Sequence, residues 1–514
     1  MKNIPFSKKE FVFVMIVVLL TTIVSTTALY SYYSNNVSLA PSWISSGWTA
    51  TKAPGPYTKA TFVPFPTWKL KWEYYPEQMN PLSAGGSAPW LNPSGRNIAL
   101  GNNDDNIFIK RSSGSIVGVL STPRILFDVN SPIPLWESNP VVPNMVTEFE
   151  FPSQEALSSV SAAAKNSDIF AVIVAQEIQS QFFNEYYYRL EVYDSAGFLW
   201  DYVFSSSAPS GNSPKRISLK ISDDGSKIIG IVEKNTFSPD RFDLAIFDVN
   251  SQTPNIPTFT TSLQSSIFGT EISQDLSSVM VGGSSPLFSH VYDVSTNTYS
   301  NYFASQFSLS DNFQDIAISD DGSRVALSSS AGPLGKVLVY EKQGTNYILI
   351  HNYPLPGHFS SEMARTMKFS TNGDLLVLGV SKGLIGDDFY VEAIDLSSSG
   401  IGNILFTDIY VGAGTGNNFV NAIDISLNGK IIAVGNLGDT LGSTSEILIY
   451  DLNSLQANKL VFSYDVSSSY GAGYGSIVNL DLNDAGDLLV ASNYWGNLVS
   501  GTGPSTGVVA FEYN

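Results

Sequence analysis

One local pattern recurs eight times along the chain: a short polar turn followed by a strongly apolar run. It reads LNPSGRNIALGN around Gly95, AKNSDIFAVIVA around Ser167, ISDDGSKIIGIV around Gly225 and ISQDLSSVMVGG around Leu276. It then reads ISDDGSRVALSS around Gly322, FSTNGDLLVLGV around Gly373, ISLNGKIIAVGN around Gly429 and LNDAGDLLVASN around Gly486. The intervals between these positions are 72, 58, 51, 46, 51, 56 and 57 residues. Six of the eight turns carry Gly where a left-handed residue is needed between two strands, mostly after Asp, Asn or Ser. A second signature follows each apolar run, a strand that ends on an aromatic or aliphatic residue and an acid. It reads LEVYDS, LAIFDV, SHVYDV, VLVYEK, VEAIDL, ILIYDL and VVAFEY, whereas the first unit departs from the rule with NIFIKRS. A fourth strand comes next, as in FLWDYVFSS, YILIHNYPL and GNILFTDIY. Four antiparallel strands repeated every roughly 45–60 residues cannot bury both faces alone, so the units must stack on one another.

This pattern resembles the WD40-like and PD40-type β-propeller superfamily. SDDG-type turns stand where that superfamily has S-P-D-G, and Tyr-Asp, Phe-Asp or Ile-Asp stand in place of Trp-Asp. The resemblance covers residues 61–514 and implies an all-β, eight-bladed β-propeller, while leaving function open. Seven blades are the alternative, because the Pro-rich stretch 121–157 lengthens the first interval. The eighth unit stops at its third strand, GVVAFEYN, and the strand-like run TFVPFPTWKLKWEYYP near 61–76 belongs to no blade. That run is expected to supply the last blade's outer strand and so close the ring.

The other end of the chain is read from hydropathy. Between Glu10 and Lys52 no charged side chain occurs, and the 19 residues from Phe11 to Leu29 are apolar. As a helix they would span about 28 Å, close to the hydrocarbon thickness of a bilayer. Lys2, Lys8 and Lys9 precede the segment and Tyr30, Tyr32 and Tyr33 follow it, which predicts an inside N-terminus and an outside body. Residues 1–33 are thus expected to be a cytoplasmic stub with a transmembrane signal-anchor, 34–60 a Ser/Pro/Gly linker, and 61–514 the propeller. Two other readings share these residues: a signal peptide cleaved near Thr26-Thr27-Ala28, giving a secreted protein, and prepilin-type processing near Lys9. All three export the propeller. With 27 Lys and Arg against 46 Asp and Glu, the formal net charge is −19, which excludes nucleic acid as an expected partner. The chain has no cysteine, hence no disulfide, thiol nucleophile or thiolate metal site.

Loop lengths are the main pointer to a binding face. Turns between first and second strands are short, whereas loops between second and third strands (VSKGLIGDDFY, SNYWGNLVSGTGPST) and between blades (LPGHFSSEMA, VSSSYGAGYGS) are long. In a propeller those two sets emerge on the same face, and elaborate loops on a rigid scaffold are where binding usually resides. That face is expected to carry Tyr470, Tyr474, Tyr494, Trp495, His358, Phe359, Asp387 and Asp388. Tyr and Trp there offer stiff contact area for a protein or a sugar ring. The bland alternative is that these aromatics pack their own loops.

Catalytic chemistry is sparsely represented. Asp223-Asp224 and Asp320-Asp321 fall in the repeating turn and read as turn residues. Asp104-Asp105 and Asp387-Asp388 fall in face loops and read as solvated surface, with a hard cation such as Ca2+ as the alternative; no cofactor is otherwise expected. There is no G-x-S-x-G elbow and no P-loop, and of three histidines only His358 sits in a face loop. The leading expectation is a membrane-tethered, extracytoplasmic binding module for a protein or carbohydrate of the cell envelope, in a receptor, adhesin or assembly. The alternatives are an extracytoplasmic propeller hydrolase or lactonase with a channel-bound divalent cation, and a pilus-like envelope subunit.

Overall fold

The computed structural model describes residues 67–74, 90–91, 98–99, 106–110, 115–119, 124–128, 134–138, 156–179, 184–194, 196–204, 217–234, 241–264, 267–284, 287–300, 312–330, 335–359, 361–382, 388–412, 418–438, 444–466, 476–494 and 506–514. The apolar segment Phe11–Leu29 and the linker lie outside these residues, among which no helix is long and apolar enough to cross a membrane. By contact, Trp68–Asn514 forms one unit.

Among its described residues are eight four-stranded antiparallel sheets. Blade 1 comprises Asn106–Lys110, Ser115–Val119, Arg124–Asp128 and Pro134–Ser138; blade 2 Ala156–Ala163, Phe170–Gln179, Asn184–Asp194 and Gly197–Phe204. Blade 3 is Ile217–Ile221, Lys227–Lys234, Arg241–Asp248 and Phe259–Gln264; blade 4 Ile267–Ile272, Ser278–Ser284, Leu287–Asp293 and Thr298–Tyr299. Blade 5 is Asn312–Ile318, Arg324–Ser330, Lys336–Gln343 and Asn346–Pro354; blade 6 Glu362–Phe369, Leu375–Lys382, Phe389–Asp395 and Asn403–Tyr410. Blade 7 is Val420–Ile425, Ile431–Asn436, Ile447–Asp451 and Leu460–Tyr464. Blade 8 takes Ser476–Leu482, Leu488–Tyr494 and Thr506–Tyr513, and its fourth strand is Trp68–Tyr74, with Trp68 opposite Tyr513 and Tyr74 opposite Val508. The first strand of each blade lies against that of the next, from blade 1 to blade 8 and back to blade 1. This closed ring of inner strands makes the molecule an eight-bladed β-propeller.

Packing between blades explains the apolar runs. In Leu375–Lys382 every residue but the last is buried. Leu376, Leu378 and Val380 pack with Ala326, Val337 and Val339 of blade 5, while Leu375 and Val377 pack with Ile432, Val434 and Leu448 of blade 7. A strand covered on both faces needs apolar residues at both parities, so its sequence is continuous rather than alternating. The outer strand Asn403–Tyr410 is mostly exposed or half-buried, because only the rim of the ring lies beyond it.

The turns behave as their chemistry dictates. Gly225, Gly322, Gly373, Gly429 and Gly486 have φ between 66° and 74°, and Leu276 takes φ 60° at the same place in blade 4. The acids that end the third strands cap the following turn. Asp194, Asp248, Asp293, Asp395 and Asp451 accept the amide hydrogens of Ala196, Asn250, Ser295, Ser397 and Asn453 at 2.7–3.0 Å. A side-chain oxygen two residues ahead of a free N–H is the Asx arrangement that starts a turn.

Blade 1 corrects the sequence reading. NIFIK is its inner strand, not its third, and Trp90–Leu91 pairs with Ile98–Ala99 in a separate two-stranded sheet. The third strand is Arg124–Asp128, RILFD, whose Phe127-Asp128 obeys the aromatic-then-acid rule after all. The Pro-rich stretch 121–157, which lengthens the first interval, holds the third and fourth strands of this blade. Pro123 precedes a strand and Pro134 begins the outer one, positions where a missing N–H removes no interior ladder bond.

Candidate binding face

In an antiparallel meander, turns from first to second and from third to fourth strand share one face of the ring. The other face carries the second-to-third and blade-to-blade loops. Of the residues expected there, Asp104, Asp105, Tyr470, Tyr474, Asp387 and Trp495 lie outside the described residues. Tyr494 ends the second strand of blade 8, opposite Thr506 and Ser476. His358, Phe359 and Asp388 are brought together over blade 6.

His358 and Phe359 share a platform, Tyr390, wholly buried in the third strand of that blade. The His358 ring meets it edge-on with centroids 5.0 Å apart, and Phe359 leans on it at 6.0 Å. His358 is exposed and Phe359 half-buried. The Lys382 ammonium lies 5.9 Å from the Phe359 ring and 2.7 Å from Asp388 Oδ2. Asp388 Oδ1 also accepts the Gly412 amide hydrogen at 3.2 Å, which ties the blade 6 loop to the connection leaving that blade. Asp388 is thereby paired with an ammonium. Among the described residues no group of three or more His, Asp or Glu is placed to hold a metal.

Buried carboxylates hold the loop in place. Glu362, 1% exposed, accepts the amide hydrogens of Gly357 at 3.0 Å and Phe359 at 2.8 Å and the Tyr390 hydroxyl at 3.3 Å. Beside it Glu392 is fully buried and accepts the hydroxyls of Tyr353 at 2.5 Å and Thr407 at 2.8 Å. Burial raises the Glu392 carboxyl above the ordinary range against the pull of those hydrogen bonds and of His358. Burial also raises the Tyr390 phenol, and the charges of Glu362 and Glu392 push it further. Blade 7 repeats the device. Glu446, 1% exposed, accepts the Val466 amide hydrogen at 2.8 Å just past the outer strand of that blade. Between them Arg365 lies over the Phe419 ring at 4.3 Å and donates to Ser381 Oγ at 2.7 Å, its guanidinium lowered by burial to about 10.

Glu362, Glu392, Tyr353 and Tyr390 were not singled out from sequence. The available signal was an acid set inside an apolar strand, in SEMARTMKF and VEAIDL, a place where a carboxylate needs a buried partner. What results is a surface in which an aromatic pair on a pinned loop stands beside a cation and a carboxylate at the ends of the blade 6 strands.

No family model matches the chain, and no curated protein matches it. Among solved structures it is similar to the Dos1 propeller at 13% identity and a TM-score of 0.46, covering 80% of this chain and 92% of that one. It is also similar to Sqt1 of Chaetomium thermophilum (12% identity, TM-score 0.48, 80% and 95% covered). A third similarity is to the complex of KlAtg21 with the coiled-coil of AgAtg16 (13% identity, TM-score 0.46, 70% and 98% covered). The assignment of this chain to the β-propellers rests on its own eight sheets and their closed ring.

Proposed function

We propose that this chain is an interaction module that binds a protein or glycan of the cell envelope through the loop face of its propeller. The reading extends to a propeller held outside a membrane by Phe11–Leu29. It is supported at that end by the charge asymmetry of the sequence, with Lys8 and Lys9 before the apolar segment and no charge again until Lys52. The observation that carries the binding reading is the pinned loop 355–359. Glu362 fixes its backbone, so exposed His358 and half-buried Phe359 meet a partner with little ordering entropy left to lose. Aromatic groups beside a cation and a carboxylate are the mixture found at the energetic centres of interfaces.

The test is capture of cell-envelope proteins and glycans by the full chain, compared with His358→Ala/Phe359→Ala and with Tyr474→Ala/Trp495→Ala. Loss of about 2 kcal/mol of binding, some thirtyfold in Kd, is expected for either pair if it sits in a contact centre. Unchanged binding by both folded variants would remove the loop face from the reading. Mass spectrometry of the mature N-terminus separates an anchored chain, which keeps Phe11–Leu29, from a cleaved or prepilin-type one.

A further inference from the structure

The inner strands repeat a charged position that the loop face does not use. Lys220, Glu271, Lys368, Asp424 and Asp481 each stand five residues before the left-handed residue of their blade's turn. Alanine fills the same place in blade 5 as Ala317. Around that small residue the inner strands of blades 3 to 8 leave a cavity of about 200 Å³, its polar lining including Lys220, Glu271, Asp320, Thr366, Lys368 and Asn479. This is below the roughly 300–1,000 Å³ of drug-sized sites, so an occupant has only a few heavy atoms.

One end of the cavity is strapped. The Lys165 ammonium, from the first turn of blade 2, lies 3.6 Å from Asp223 of blade 3 and 3.7 Å from Asp320 of blade 5. Backbone bonds knit the same turns, Asn166 N–H to Asp223 C=O at 2.7 Å and Asp275 N–H to Asp320 C=O at 2.9 Å. The lysine thus reaches over the channel on the turn face.

The charges inside are not all paired alike. Lys368 faces Asp424 at 4.0 Å, and the attraction of Asp424, Asp320, Glu271 and Asp481 outweighs burial to raise its ammonium above the ordinary value. The Lys220 ammonium, by contrast, makes no hydrogen bond or ion pair among the described residues. Burial and the Lys368 charge lower it below the ordinary lysine value, although Asp320 and Glu271 work the other way. A half-buried cation without a hydrogen-bonded counter-ion is costly, and a ligand carboxylate would relieve it. Among the described lining residues two are carboxylates (Glu271, Asp320) and two are ammoniums (Lys220, Lys368), so neither a purely anionic nor a purely cationic occupant matches the lining. A molecule with both charges does.

We propose that the central channel binds a small zwitterion of α-amino-acid size, its carboxylate on Lys220 and its ammonium facing Glu271. Asn421, Asn479 and Thr366 add amides and a hydroxyl able to donate or accept. With Lys165 strapping the turn face, entry is from the loop face.

The test is isothermal titration of the full chain with L-serine and L-glutamine, against acetate, ethylammonium and glycerol as partial probes. One-to-one binding of at least one amino acid is expected, weakened about tenfold or more by Lys220→Met and much less by Lys220→Arg. A readout that needs no variant is reductive methylation of the native chain, where the binding amino acid should shield Lys220 from the reagent while glycerol does not. Absence of amino-acid binding and shielding overturns the proposal. So does acetate binding as tightly as the amino acids, which would make this an anion site, or glycerol shielding equally well.

Discussion

Asp424, in the inner strand of blade 7, accepts the amide hydrogen of Leu482, in the inner strand of blade 8, at 2.7 Å. Asp315 of blade 5 does the same for Met367 of blade 6 at 2.9 Å. Both carboxylates are buried, and both bonds join strands that no sheet ladder connects. With no disulfide to hold it, the ring relies on apolar packing between blades supplemented by such side-chain bridges. Asp424→Ala leaves a buried N–H without its acceptor and removes the carboxylate beside Lys368. A loss of about 1–3 kcal/mol is expected, read as a lower urea midpoint with unchanged slope.

The ring closes on Trp68, which is 5% exposed and packs with Ile477, Leu489 and Phe511 in the core of blades 7 and 8. Trp68→Ala should cost about 3–5 kcal/mol. The loss should appear first as faster amide exchange in Thr506–Tyr513, whose free edge the strand Trp68–Tyr74 covers. Uniformly faster exchange through all blades would mean that closure is not a separable step.

Much of this architecture could be read from the repeat because turn chemistry is local. A left-handed residue and a turn-capping acid need only their own neighbours, so Gly322 and Asp395 announce themselves in one dimension. Blade 1 was misplaced because LNPSG imitates the repeating turn while RILFD sat in a Pro-rich context. For the face, loop length pointed to His358, Phe359 and Asp388, but not to Glu362 beneath them. An acid in a strand looks like a solvated one until its partners, here Tyr390 and two loop amides, are known. Lys220 and Lys368 were hidden for the same reason, although aligning the repeats on their turn glycines brings both to one position.

Glycine also appears mid-strand, where the reason is approach rather than conformation. A Cβ on Gly379 would lie 2.5 Å from Val420 Cβ of the next blade, and one on Gly435 would lie 2.3 Å from Ile477 Cγ2. Both contacts are shorter than carbon atoms tolerate, and β-branched Val420 and Ile477 have no slack to move away. Gly379→Ala and Gly435→Ala should each cost about 1–3 kcal/mol through blade separation. Gly344→Ala is a contrasting control. There φ is 67° but no atom lies within 4 Å of the added carbon, so any cost is backbone strain alone.

Stability should fall in acid, in a window set by the turn carboxylates. Asp224 accepts hydrogen bonds from the Ser222 hydroxyl and from the amide and hydroxyl of Ser226, which lower it to about 2. Asp293 is brought to about 2 although burial opposes the shift, by Ser295, Thr296 and the Lys342 ammonium 3.5 Å away. In the unfolded chain both return to about 3.9. Because the folded value lies below the unfolded one, the unfolded state binds more protons between them, and stability drops as pH falls from about 4 to about 2. Asp224→Asn/Asp293→Asn cannot take up those protons. The double variant should start less stable at neutral pH and lose less between pH 4 and 2, measured by urea unfolding at fixed pH. An unchanged slope across that window would show that the acid sensitivity of the ring arises elsewhere.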